Sequence, residues 1–180
     1  MYKDQKVTAL LPIKKHSERL KNKNFREFNG EPLYYSILNK LADSEYIDVI
    51  HVNTDSNIVQ SDIKHVFKPT ESVKNVTFKC TERPEELCGD DKHANDLIAH
   101  DIEVVDSDWY LQTHVTNPLI STETIDTGIE LMIRSQDKYD SLVSVNEIKK
   151  VSYYKNEPVN HDLDNPVPTQ DLSPVLTENS

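Results

Sequence analysis

The sequence predicts an α/β fold: a mostly parallel sheet flanked by helices, with a Pro-rich extended arm near the C-terminus. Two observations predict it. Apolar runs of strand length alternate with stretches whose apolar residues recur at helical spacing, and strands joined by crossover helices build a parallel sheet covered on both faces. From Lys149 onward this periodicity weakens, and Pro158, Pro166, Pro168 and Pro174 arrive amid Asn and Asp, which predicts an extended excursion with little core of its own.

The elements follow in order. Val7, Thr8, Ala9, Leu10 and Leu11 form a run short enough for a buried strand, stopped by Pro12 and a polar stretch. After a turn at Asn29-Gly30, Pro32 stands where a first helical residue tolerates proline, and Leu33, Ile37, Leu38 and Leu41 predict an amphipathic helix ending near Ser44. Residues 47–52 predict a second strand, closed by the polar run Asn53-Thr54-Asp55-Ser56. Ile58, Val59, Ile63 and Val66 mark the inward face of a second helix, and Val76-Thr77-Phe78 a short third strand. Ala94, Leu97, Ile98, Ile102 and Val105 mark a third helix, and residues 109–113 a fourth strand. A helix from about Thr122 turns Ile125, Ile129, Met132 and Ile133 inward, and Ser141-Leu142-Val143-Ser144-Val145 predicts a fifth strand.

Composition narrows the function classes. The 180 residues carry 31 acidic against 20 basic side chains, a formal charge of -11, which disfavours general binding to polyphosphate backbones. No apolar run reaches the roughly 20 residues of a membrane span, and the N-terminal residues lack a signal-peptide core, so a soluble cytoplasmic protein with no membrane and no nucleic-acid partner is expected. Cys80 and Cys88 fit neither a zinc nor a dithiol redox pattern and read as reduced structural thiols. His93 and His100 lie seven apart, which is no zinc signature.

Ligands of open parallel sheets bind where loops leave the carboxyl ends of the strands. The first such loop concentrates Lys14, Lys15, Arg19, Lys21 and Lys23 within ten residues of an otherwise acidic chain. Lysine and arginine neutralise phosphate oxygens by charge-assisted hydrogen bonds, and Ser17 adds a hydroxyl donor, so a small phosphate ligand fits this loop. With three glycines in the whole chain, neither a Walker loop nor a G-x-G-x-x-G turn is present.

The same loop resembles the nucleotide-binding signature of the acylneuraminate cytidylyltransferases, the CMP-sialic acid synthetases. There a strand runs into Pro-Ala-Arg-Gly-Gly-Ser-Lys, a spacer and Lys-Asn; Pro12, Ser17, Lys23 and Asn24 match, and Lys14 replaces the arginine. Gly30-Glu31-Pro32-Leu33 resembles the family's Gly-Lys-Pro-Leu, and Val52-Asn53-Thr54-Asp55-Ser56 its Val-Ser-Thr-Asp-Asp. Arg83-Pro84-Glu85-Glu86-Leu87 with Asp90, His114-Val115-Thr116-Asn117-Pro118-Leu119, Ser144-Val145, and Gln170-Asp171-Leu172 followed by Glu178-Asn179 resemble later segments, in order.

The resemblance implies the Rossmann-like nucleotidyltransferase fold and transfer of CMP from CTP to an acidic keto-sugar with release of pyrophosphate. It implies Lys14 and Lys23 as the catalytic cations, with Pro12, Lys14, Ser17, Arg19, Lys23 and Asn24 around the triphosphate and Arg83 and His93 at the nucleotide. His114, Thr116 and Gln170 fall on the sugar side. Mg2+ is implied as cofactor with its ligands unassigned, since the family's aspartate pair belongs to a segment expected beyond Ser180. A homodimer is implied, with a nucleotide-binding domain over 1–148, a dimerisation-like arm over 149–169 and a return segment over 170–180. Departures from the family are Lys15 and His16 in place of paired glycines, His114 in place of glutamine, and Thr169 where arginine often precedes Gln-Asp-Leu. Two alternatives stand beside the enzyme: a non-catalytic nucleotide-binding or assembly module, and another sugar nucleotidyltransferase on the same fold.

Overall fold

The structure, a computed structural model, describes residues 4–17, 20–67, 76–89 and 92–178, so Arg19, Asp90 and Asn179 lie outside the described residues. The chain divides into two compact units, one through Lys138 and one from Tyr139.

In the first unit the elements run β1 (Val7–Ile13), β2 (Glu27–Phe28), β3 (Glu31–Pro32), α1 (Leu33–Ala42), β4 (Val49–Thr54), α2 (Asn57–His65), β5 (Thr77–Glu82), α3 (Ala94–Val104), β6 (Trp109–Gln112) and α4 (Thr122–Arg134). Strands β5, β4, β1 and β6 form one sheet in that order, and every neighbouring pair is parallel. Asn29 and Gly30 both have positive φ, 55° and 85°, and close the β2–β3 hairpin as the two central residues. That is the backbone an Asn-Gly turn is suited to.

The alternation of side chains along β1 splits the core by face. Val7, Ala9, Leu11 and Ile13 join Ile50 and Val52 of β4 against Ile37, Leu38 and Leu41 of α1, Val59 and Ile63 of α2, and Ile125, Ile129 and Ile133 of α4. Each valine, leucine or isoleucine among them contributes about 1.5–3 kcal/mol of transfer free energy when fully buried. A file of rings, Phe25, Tyr34, Tyr35, Phe67 and Phe78, extends this core, with successive centroids 5.7, 5.0, 4.8 and 5.5 Å apart. The hydroxyl of buried Tyr34 donates to Asp62 of α2, and burial together with that carboxylate pushes its ionisation far up. The ring file fastens the end of the β1 loop, at Phe25, to α1 and β5.

The opposite face carries buried polar groups beside the apolar Leu10 and Val49. Thr8, His51 and Asn53 are buried there under α3, whose Asp101 is turned onto the sheet. Here the sequence expectation is corrected: Ile102, placed inward by apolar spacing, is 42% exposed, while Asp101 is 1% exposed. The helix presents the residue that pairs the polar groups of β4, because leaving them buried and unpaired costs more than exposing one isoleucine.

Other differences have similar causes. Ile58 and Val66 are exposed, since Val59 and Ile63 alone, four residues apart, form the buried stripe of α2. The third strand runs on to Glu82, because β5 is an edge of this sheet whose mostly exposed side chains carry no apolar signal. Asn53 and Thr54, expected to close the second strand, are its last two residues.

In the second unit, β7 (Val145–Ile148) pairs antiparallel with β10 (Val175–Glu178), and β8 (Tyr153–Tyr154) with β9 (Glu157–Pro158). The fifth parallel strand expected over 141–145 is therefore not formed. Leu142 and Val143 are exposed, and an apolar run makes a parallel strand only where both faces are covered. The Asn160 amide stitches this unit, accepting from Ser152 N at 3.0 Å and donating to Lys150 O and Ser173 O, each at 2.9 Å. Lys155 and Asn156, with φ of 48° and 68°, turn the β8–β9 hairpin.

Candidate functional site

The strand order fixes where a ligand would enter. From β1 the chain steps to β4 and β5 on one side, then returns to place β6 on the other, so β1 and β6 flank the point where the winding reverses. Strand β6 pairs with β1 only from Val7 to Leu10, and Pro12 lies past that register, where its missing N–H breaks no bond to β6. The loops after β1 and β6 leave from the two sides of this crevice.

The β1 loop is held by contacts to its neighbours. Parallel pairing sets Ile13 beside Thr54, and the next residues meet: Lys15 N–H donates to the Asp55 carboxylate at 2.6 Å. Buried Asn24, in a short 3-10 turn at Lys23–Phe25, donates its amide to Lys14 O at 2.8 Å, tying the end of the loop to its start. Asn22 ahead of it takes φ of 54°, a conformation asparagine tolerates. Lys14 Nζ reaches across to Gly89 O at 3.3 Å, linking this loop to the one after β5. Ser17 and Lys23 are half-buried on the same loop.

Behind the loops lies a buried network. Arg83, the first residue after β5, is 6% exposed, with Nε donating to Asn53 Oδ1 at 2.9 Å and Nη2 to Asn53 O at 3.0 Å. Asn53 Nδ2 donates to Asp101 Oδ1 at 2.6 Å, and His51 Nε2 and His100 Nδ1 donate to the same oxygen at 3.3 Å each. Burial alone would push the Asp101 carboxyl up, but the donors from His51 and Asn53, the attraction of the His51 ring and the donor from His100 outweigh it and hold the group below the usual carboxylate value.

The structure thus brings Pro12, Lys14, Ser17, Lys23, Asn24, Arg83, His114 and Thr116 to the carboxyl edge of one sheet. His114 follows β6, with Gln112 Nε2 at 2.9 Å from its Nε2. His93 stands at the head of α3 as an exposed capping residue, its N–H donating to Asp96 at 3.0 Å. Gln170 belongs to the other unit, exposed in the 3-10 turn Thr169–Asp171. Sequence reasoning missed Asn53, Asp101 and His51. The available signal was His51 and Asn53 two apart in an apolar strand, which puts two polar groups on one buried face.

Among the described residues no group of three or more histidine, cysteine or carboxylate side chains is arranged to hold a metal ion, and the Asp55 carboxylate is turned onto Lys15 N–H. Cys80 and Cys88 are free thiols, and no described helix is long and apolar enough to cross a membrane.

A parallel sheet whose winding reverses between β1 and β6 defines a doubly wound α/β domain, with the cationic loop at that reversal. The sequence matches the cytidylyltransferase family over residues 8–172, and the chain belongs to that family. It is 25% identical over 140 residues to a pseudaminic acid cytidylyltransferase of Campylobacter jejuni, covering 74% of this chain but 56% of that one. The chain therefore spans little more than half the length of this curated relative. Among solved structures, a CMP:2-keto-3-deoxy-manno-octonic acid synthetase complexed with CTP superposes with a TM-score of 0.63 at 17% identity, over 79% of this chain and 53% of that one. A 4-diphosphocytidyl-2C-methyl-D-erythritol synthase of Anaerococcus prevotii gives 0.56 at 13% identity, over 98% and 68%. These likenesses establish the shared fold.

Proposed function

We propose that the protein binds CTP and transfers CMP to an acidic keto-sugar of the sialic acid type, releasing pyrophosphate. The observation that carries the reading is the β1 loop, whose lysines stand at the winding reversal on a backbone fixed by Asp55 and Asn24. The membership in the cytidylyltransferase family and the pseudaminic acid relative support the nucleotide and the acceptor class. In the reaction the sugar's anomeric hydroxyl oxygen bonds to the α-phosphorus, its proton passes to solvent water, and the bond from that phosphorus to the bridging oxygen breaks as pyrophosphate departs. Lys14 and Lys23 would stabilise the charge on the phosphate oxygens, with Ser17, Asn24 and Arg19 completing the triphosphate shell and Arg83 and His93 the nucleotide end. His114, Thr116 and Gln170 would face the sugar.

Thermal unfolding with Mg2+ and each of the four ribonucleoside triphosphates tests this reading. A ligand that binds only the folded protein stabilises it by about 2.7 kcal/mol at a hundredfold excess over Kd. CTP alone is expected to raise the midpoint, and a midpoint unmoved by any of the four would overturn the assignment.

A homodimer is part of the proposal, formed through the 149–169 arm. In its support, Val151, Tyr153, Tyr154, Val159 and Leu163 are all exposed on that short stretch, an apolar surface of the kind that marks an interaction face. Light scattering across micromolar concentrations should give twice the mass of the chain, and a constant monomer mass would end the idea.

A further inference from the structure

We infer that Asn53 and Asp101 are positioning residues that set the orientation of the Arg83 guanidinium at the edge of the nucleotide site. The inference rests on the proposed role of Arg83 at the nucleotide. Arginine carries about 2 kcal/mol of rotamer entropy, and a cation meant to meet a ligand works best when that freedom is already removed. Arg83 spends both Nε and Nη2 on one residue, the side-chain and main-chain oxygens of Asn53, so the plane of the guanidinium is fixed by two bonds.

The Asn53 amide can serve this way in only one of its two orientations. Its oxygen must face Arg83, because a flipped amide would set NH2 against the N–H groups of the guanidinium. The group that chooses the orientation is Asp101, whose Oδ1 accepts from Asn53 Nδ2 at 2.6 Å and is itself held by His51 and His100. A carboxylate is acceptor-only, so the NH2 end of Asn53 must point to it. The path therefore runs from α3 through β4 to the first residue after β5, across residues 48 and 30 positions apart in the chain. Neither residue reaches the β1 loop among the bonds described; each acts through Arg83.

A double-mutant cycle on CTP affinity, with an independent probe of Arg83, tests this. By calorimetry with Mg2+ and CTP, Asp101→Asn and Arg83→Ala are each expected to weaken binding about tenfold, and the double variant no further than Arg83→Ala alone. Additive losses, or full affinity in folded Asp101→Asn, would overturn the inference. The second readout needs no nucleotide: the Nε–H resonance of Arg83, assigned by its loss in Arg83→Lys, should be protected from solvent exchange in the native protein and lose protection in Asp101→Asn. Equal protection in both refutes the relay even if CTP fails to bind, a failure that would by itself sink only the proposed function. Should Asp101→Asn not fold, Asn53→Ser breaks the same link without changing charge and carries both readouts.

Discussion

Lys14→Ala is expected to weaken CTP binding by about one to two orders of magnitude, since a charge-assisted hydrogen bond contributes about 1.5–3 kcal/mol. The position, more than the charge, carries this expectation. Lys14 is the first residue beyond β1, at the reversal of the winding, and its Nζ reaches Gly89 O on the loop after β5. A triphosphate entering the crevice offers far stronger acceptors than that carbonyl. In a chain of net charge -11, the β1 loop is also the place where an anionic ligand meets attraction in place of repulsion, so part of the loss should appear in the association rate and shrink as salt is raised. Lys14→Arg should recover most of the affinity. Lys23→Ala is expected to act in the same direction from the far end of the same loop. Calorimetry decides: an unchanged Kd for Lys14→Ala removes it from the site and with it the premise that the β1 loop holds phosphate.

The parts of the fold legible in the sequence are those whose signal is local. The apolar run of β1, the Leu and Ile stripe of α1 and α4, and the Asn-Gly turn each declare themselves within a dozen residues, and each is found where the spacing places it. Edges and pairings are not local. Lys79, Thr81 and Glu82 give no strand signal because β5 has one neighbour and keeps its side chains largely in water. The run Leu142-Val143 does give a signal, yet the strand that forms begins at Val145 and pairs with Val175–Glu178, a partner that spacing cannot name. The candidate site divides the same way. The cations of the β1 loop are visible as a density of charge in one short segment, whereas the contacts that hold the loop, Asp55 to Lys15 N and Lys14 to Gly89 O, join residues 40 and 75 apart. The turn of α3 that hides Asp101 and exposes Ile102 follows from polar groups on β4, information that helix periodicity does not contain.

The same turn of α3 carries the largest expected stability effect. Asp101→Ala removes the one oxygen that accepts from Asn53, His51 and His100, and the first two of these donors are wholly buried. Each buried group left unpaired costs about 1–3 kcal/mol, so the variant should be less stable by about 3 kcal/mol at neutral pH, a loss comparable to a large core truncation. The loss has a pH signature that a core truncation lacks. The carboxyl of Asp101 is held below its ordinary value in the folded protein, so the stabilisation it gives is complete above the unfolded value of about 3.9 and is lost as the pH falls through the lower, folded value. The groups facing it are His51 and the Asn53 amide of β4 and His100 of its own helix, and all three favour the ionised form. Urea unfolding of the native protein and of Asp101→Ala should therefore differ most near pH 7 and converge below about pH 4. A difference that stays constant down to pH 3 would mean that Asp101 contributes by filling space, and the charged relay to Arg83 would lose its physical basis.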